Sequence, residues 1–102
     1  VIDNSNITGT LDNTGTPAVY LTTPAKSFVT SGTTAITNFI AGSQGQIFTI
    51  VAKHSVTITN GTNILLAGGV NFAMTAEDTL TLILRPDITF GAKWVEVSRS
   101  VN

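Results

Sequence analysis

The side chains that could do acid–base or nucleophilic chemistry are few and stand apart. The chain has one histidine, His54, followed directly by Ser55. A hydrolytic triad would need these two together with an acid such as Asp78 or Asp87. Neighbouring side chains on a strand point to opposite faces, so His54 and Ser55 are badly placed to pair. The sequence also has no nucleophile-elbow motif, and we predict that the chain is not an enzyme.

Carboxylate pairs and ligand-binding loops are equally poorly matched. Glu77 and Asp78 stand in TAEDTL, which reads as a polar turn between strands. A glycosidase needs two carboxylates facing one cleft, about 5–10 Å apart. The segments DNSN and LDNTG lack the closing glutamate of a calcium loop. AGSQGQ lacks the lysine and the following helix of a phosphate loop. We therefore expect no metal and no cofactor.

Charge and composition restrict the kinds of partner. Only 11% of the residues are charged, and the five basic and six acidic residues are scattered singly. Such a chain has no basic stripe for nucleic acid, and no apolar run reaches the ~20 residues that span a bilayer. The absence of cysteine excludes disulfides and thiolate metal sites. With so few charges, either Thr, Asn and Ser solvate the surface or neighbouring subunits cover part of it, which suggests a homo-oligomer. The chain begins at Val1 with no signal-peptide pattern, so we expect a processed product or an excerpt.

From Ser27 onward, apolar and polar residues alternate with period two, which predicts half-buried strands. The alternation is clearest in SVTIT and DTLTLIL. QIFTIVAK is apolar on both faces, which indicates a central strand or one covered on both sides. In KWVEVSR, the same period puts Val95 and Val97 on one face and Trp94, Glu96 and Ser98 on the other.

Turn residues between these runs predict one small all-β domain. Asn60-Gly61 favours a two-residue hairpin. About seven short strands at close spacing favour a small antiparallel sandwich of jelly-roll type. Short strands with Gly and Asn corners also fit a β-helix or an interlaced trimeric prism, which stays open as an alternative.

The N-terminal quarter has a different composition. Asn, Asp, Thr, Gly and Pro dominate it, and Pro17 and Pro24 each remove a ladder donor, which excludes a central strand. We predict an extended arm or linker over residues 1–26 and a β-module over residues 27–102. Two interpretations of the arm stay open: a flexible leader, or a segment that lies along a neighbouring subunit with Val19, Tyr20 and Leu21 as its anchor.

Aromatic side chains offer a second candidate surface. Trp94, beside Lys93, is the best candidate for an exposed aromatic, although aromatics in a small β domain usually pack in the core or against a subunit. The candidate subunit-contact or receptor residues are Val19, Tyr20, Leu21, Phe90 and Trp94.

The run AITNFIAGSQGQIFTIVAKHSVTITNGTNILLAGGVNFAMTAEDTLTLILRPDITFGAKWVEVSRS, residues 35–100, resembles a known β-module as a whole. That module is found toward the C-terminus of bacteriophage tail-fibre, tailspike and appendage proteins. The resemblance lies in the order of ITNF, GQIFTI, VTITNGTNILLAGGVNF, AEDTLTLIL and WVEVSRS. The segment RPDITFGAKW departs from the tight Asp-Gly hairpin of the family.

The resemblance implies a non-enzymatic virion module that forms homotrimers, caps longer fibres and in some cases contacts host-surface glycans. It carries no catalytic residue. Two alternatives stay open: a small capsid decoration protein that binds neighbouring virion proteins through its N-terminal arm, and a carbohydrate-binding module. On each virion reading we expect the protein to be extracellular in the mature particle.

Overall fold

The computed structural model describes residues 8–19, 27–85 and 93–102, and these form a β-sandwich. The described residues contain eight strands and one short 3-10 turn, Ala67–Gly69. The strands are β1 (Thr8–Thr10), β2 (Ser27–Val29), β3 (Ile47–Val51), β4 (Val56–Ile58), β5 (Ile64–Leu65), β6 (Phe72–Met74), β7 (Thr79–Arg85) and β8 (Lys93–Ser100). No helix in these residues is long and apolar enough to cross a membrane.

Six strands form the larger layer, in the order β1-β2-β3-β7-β8-β5. β1, β2 and β3 run parallel to one another, and β7 runs antiparallel to both of its neighbours. Along β7, Leu80, Leu82 and Leu84 are buried, whereas Thr79 and Thr81 are only partly covered. This period-two burial confirms the predicted half-buried strand. The sandwich is confirmed as well, although its larger sheet is mixed and not antiparallel throughout.

The second layer is built on the antiparallel pair β4–β6. Val56 lies opposite Met74 and Ile58 lies opposite Phe72, and all four side chains are buried against the larger sheet. A parallel bridge from Ile36 to Ile58 extends this layer beyond the pair. The core therefore lies between the inward faces of the two layers.

Four aromatic rings form the centre of this core. The ring of Phe48 meets those of Trp94, Phe39 and Phe28 edge to face, at centroid distances of 4.9, 5.2 and 5.5 Å. Each such pair contributes about 0.5–1.5 kcal/mol beyond the area that it buries. The indole N–H of Trp94 donates to the carbonyl oxygen of Phe39 at 3.0 Å, so the polar atom of this buried ring is satisfied.

The predicted hairpin at Asn60-Gly61 is wrong. β4 pairs with β6, while β5 joins the other sheet beside β8. Neither Asn60 nor Gly61 has the positive φ that the two-residue hairpin turn requires. Instead, Asn60 Oδ1 accepts from the N–H of Leu66 at 2.8 Å, and its Nδ2 donates to the carbonyl of Gly69 at 3.2 Å. The amide side chain of Asn60 thus satisfies two backbone groups at the corner where the chain crosses from one layer to the other.

Part of the predicted arm belongs to the sandwich. Thr8–Thr10 pairs in register with β2, and Leu11 and Val19 are buried in the core. The side-chain amide of Gln46 donates to the carbonyl of Val19 at 3.0 Å. The predicted division into an arm over residues 1–26 and a module over residues 27–102 therefore does not describe residues 8–19. Pro17 lies outside the strands, as its missing N–H requires.

Candidate functional site: the outer face of the larger sheet

The outer face of the larger sheet carries three rows of side chains that run across the strands. Alternate residues of each strand point outward, and the strand registers place them opposite one another. The apolar row consists of Ile47, Ile83, Val95 and Leu65. The hydroxyl row consists of Ser27, Thr49, Thr81 and Ser98. The mixed row consists of Val29, Val51, Thr79 and Ser100. None of these side chains is ionisable.

The apolar row leaves aliphatic groups in contact with water. The residue of Ile47 is 51% exposed, and those of Ile83, Val95 and Leu65 are half-buried. Single exposed aliphatic residues are normal, but here four stand side by side across four strands. A partner that covered this row would remove that apolar surface from water.

The hydroxyl row is joined within the sheet. Thr49 Oγ1 and Thr81 Oγ1 lie 2.8 Å apart across β3 and β7, a cross-strand hydrogen bond. Because one hydroxyl satisfies the other, the pair Thr49 and Thr81 costs less to cover than two isolated hydroxyls would.

Positive charge borders the rows at one end of the β7–β8 ladder. Arg85 lies opposite Lys93, one register step beyond Leu84 and Trp94. The rows themselves are neutral, so a neighbouring surface that covers them would bury no charge.

One extra residue in β8 decides which side chains reach this face. Leu82 pairs with Glu96 but Thr81 pairs with Ser98, so Val97 forms a β-bulge. Beyond a bulge the side chains change faces. The predicted faces of KWVEVSR are therefore wrong after Glu96: Ser98 points outward, and Arg99 shares the inner side with Glu96.

The bulge makes an ion pair at the inner side of β8. Arg99 donates to Glu96 through Nε at 2.8 Å and Nη2 at 2.7 Å, and the N–H of Ala67 donates to Glu96 at 2.9 Å. These hydrogen bonds, led by those from Arg99, lower the pKa of Glu96, and the same contact raises the pKa of Arg99. The guanidinium also lies 4.0 Å from the ring centroid of Phe72. The ion pair therefore joins β8 to β6 through the contact of Arg99 with Phe72, and to the turn after β5 through the bond from Ala67 to Glu96.

Asp78 is a buried structural acid. Its carboxylate accepts from the N–H of Thr75 at 2.9 Å, the hydroxyl of Thr75 at 3.1 Å and the N–H of Asn102 at 2.8 Å. The two backbone N–H groups, Thr75 first, hold the pKa of Asp78 below its ordinary value. Asp78 thereby joins the turn before β7 to the residues after β8.

Two other side chains that were considered for catalysis, His54 and Glu77, lie in structural contacts, and Asp87 lies outside the described residues. His54 Nδ1 lies 2.9 Å from Thr30 Oγ1. Glu77 pairs with Lys53 at 3.2 Å on the surface. Within residues 8–19, 27–85 and 93–102, no three His, Asp or Glu residues come together as a metal site would require.

The predicted contact residues are only partly described. Val19 and Trp94 are 0% and 2% exposed in their own chain, so their side chains do not form a surface. For Trp94 the core interpretation fits and the exposed one does not, because its ring packs against Phe39 and Phe48. Tyr20, Leu21 and Phe90 lie outside the described residues, and their role stays a prediction. The three rows were not predicted from the sequence, although the apolar residues on both faces of QIFTIVAK indicated that β3 is a central or covered strand.

Comparison with known proteins identifies the domain type. No curated protein and no solved structure matches the chain significantly. A family model described as the phage depolymerase C-terminal beta sandwich domain matches residues 4–95. That range covers most of the chain, includes β1 and agrees with the two-layered fold. The chain belongs to the family of phage depolymerase C-terminal β-sandwich domains, which are phage tail-associated structural modules.

Proposed function

We propose that this domain is a non-enzymatic structural module of a virion protein, which forms a homotrimer and caps a tail fibre, tailspike or appendage. The observation that carries the proposal is the apolar row, which crosses four strands on the outer face of the larger sheet and contains no ionisable side chain. Membership of a phage depolymerase C-terminal family supports the location in a phage tail.

Covering the outer face is energetically favourable. A fully buried Val, Leu or Ile side chain contributes about 1.5–3 kcal/mol, and the half-buried members of the apolar row contribute less. The rows bring no ionisable group into the contact, so the gain is not offset by desolvation of charge. A second copy is the occupant that we favour, because a threefold arrangement covers this face once in every subunit.

The geometry favours the fibre module over the decoration protein. A decoration protein would bind through the extended arm, but residues 8–19 of that arm are packed in their own domain. The proposal includes contact with a host-surface glycan, for which Phe90, Tyr20 and Leu21 remain the candidate contact residues. The carbohydrate-binding alternative is less favoured, because the ring of Trp94 lies in the core and cannot stack on a sugar.

The test measures the solution mass of Ile83→Asp and the native protein across a dilution series. Ile83 lies at the centre of the apolar row, between Ile47 and Val95. Light scattering should give three times the chain mass of 10.6 kDa for the native protein and the chain mass for Ile83→Asp. The matched control is Ala73→Asp, an exposed strand position in the other layer, which should remain a trimer.

Circular dichroism and thermal unfolding establish that each variant is folded. If Ile83→Asp does not fold, Ile83→Thr replaces it, because Thr keeps the β-branched shape and reduces the apolar surface. A native protein that stays monomeric at every concentration contradicts the trimer. A folded Ile83→Asp trimer contradicts the assignment of the contact to this face.

A further inference from the structure

Asn60-Gly61 is the one Asn-Gly sequence in the chain, and it stands at the corner where the chain crosses from one layer to the other. Asparagine is a thermolabile residue, and it loses its side-chain amide most readily ahead of glycine, which has no Cβ to hinder the approach of its nitrogen. In this reaction the backbone nitrogen of Gly61 bonds to Cγ of Asn60, the Cγ–Nδ2 bond breaks, and ammonia leaves with the proton of the Gly61 N–H. Water then opens the resulting succinimide ring to aspartate or isoaspartate.

Solvent reaches this corner. Gly61 is exposed, and a Cβ added there would meet nothing within 4 Å. Asn60 is half-buried. Neither water nor a base from solution is shut out, so the hydrogen bonds of the reacting groups, and not burial, decide how fast Asn60 reacts.

The attacking nitrogen is occupied in the fold. The N–H of Gly61 donates to the carbonyl of Ile64 at 2.9 Å. A peptide nitrogen becomes a nucleophile only when it gives up its proton, and here that proton is held by a carbonyl and not by a base. The N–H of Asn60 is held as well, by Asn71 Oδ1 at 2.9 Å, so the backbone of both residues is fixed.

The amide under attack is held at both of its polar atoms. Asn60 Oδ1 accepts from the N–H of Leu66 at 2.8 Å, and Nδ2 donates to the carbonyl of Gly69 at 3.2 Å. Ring closure draws Cγ onto the nitrogen of Gly61 and turns the amide, which releases these partners. The reaction therefore requires the corner to open first, and its rate in the folded domain follows the population of the open corner.

Reaction at Asn60 changes what the corner can bond. An aspartate keeps an acceptor for the N–H of Leu66, but its second oxygen cannot donate and would face the carbonyl of Gly69 as acceptor against acceptor. Isoaspartate also lengthens the backbone by one carbon, which moves the side chain away from its partners. Both products therefore satisfy fewer backbone groups than Asn60 does.

We propose that Asn60 is a deamidation site which the folded corner protects, and whose conversion to aspartate or isoaspartate destabilises the domain. Chains whose corner has opened are then modified irreversibly, and the modified chains open more often. This property belongs to each single chain and does not depend on the trimer proposed above.

Peptide mapping by mass spectrometry measures the conversion of Asn60 in the folded protein and in guanidinium chloride, in the same mildly alkaline buffer. The unfolded chain should convert at least about 10-fold faster, because its reacting groups are free of the hydrogen bonds of the corner. The matched control is Gly61→Ala, which has room for its Cβ in the fold but hinders ring closure, so it should convert slowly in both states. Equal rates for the folded and unfolded native sequence, or no conversion in either, overturn the proposal.

Asn60→Asp tests the effect of the product. Its thermal midpoint should lie about 4–8 °C below the native one, the shift that one lost hydrogen bond produces in a domain of this size. The control for the added charge is Asn63→Asp, because the amide of Asn63 donates instead to the carbonyl of Thr37, at 3.5 Å. Equal midpoints for the two variants overturn the destabilising effect. If Asn60→Asp does not fold while Asn63→Asp does, that effect is supported, and the two conversion rates still test the protection.

Discussion

Gly42→Ala should destabilise the domain through the ring of its only tryptophan. A Cβ added at Gly42 would lie 2.5 Å from Cζ2 and 2.9 Å from Cη2 of Trp94, and 3.3 Å from Oε1 of Gln46. The indole cannot move away freely, because its N–H is bonded to Phe39 and its ring abuts Phe48. Overpacking of this kind costs about 1–3 kcal/mol, and we expect a loss of that size in the free energy of unfolding.

Urea unfolding followed by the fluorescence of Trp94 measures this loss at the affected side chain. The control is Gly61→Ala, where an added Cβ meets nothing within 4 Å and φ is not positive. That variant should be unchanged or more stable by about 0.4–1 kcal/mol, because alanine restricts the unfolded chain. If Gly42→Ala is as stable as Gly61→Ala and has the native emission maximum, the packing described around Trp94 is wrong.

Three further changes test other parts of the fold. The folded-state pKa of Asp78 is lowered, so its contribution is present above the unfolded pKa of about 3.9 and is lost as the pH falls through the lower folded value. The thermal midpoint of Asp78→Asn should therefore lie below the native one at pH 7, with the gap narrowing below about pH 4; a constant gap would contradict the role of the charge. A double-mutant cycle of Glu96→Gln and Arg99→Gln by chemical denaturation should give a coupling of about 1–2 kcal/mol, and a value near zero would place the pair among ordinary surface ion pairs. Ala41→Gly should raise stability by up to about 1 kcal/mol, because alanine occupies φ 61° there; a lower urea midpoint would show that this backbone is not strained.

The candidate site was only partly accessible from the sequence. The apolar residues on both faces of QIFTIVAK indicate a covered strand, and Ile47 indeed points to the outer face. The row to which it belongs depends on pairing with Ile83, far along the chain, and on Val95. Period-two patterns state which residues of a strand share a face, but not which strands lie side by side. The contact residues were chosen for their aromatic or apolar character. Two of them, Val19 and Trp94, are buried in the core, where the same character places them.

By itself, the sequence determined the all-β class, the inward leucines of β7 and the family resemblance, because alternation and turn composition are local properties of the chain. The tertiary structure alone decided three features. Asn60 turns a corner between layers because its amide bonds Leu66 and Gly69. Val97 forms a bulge in the pairing of β8 with β7, and the side chains of β8 beyond it therefore point to the opposite faces from those that strict alternation predicts. The strands β1, β2 and β3 pair in parallel with partners that lie about 20 residues apart, beyond the reach of any local pattern.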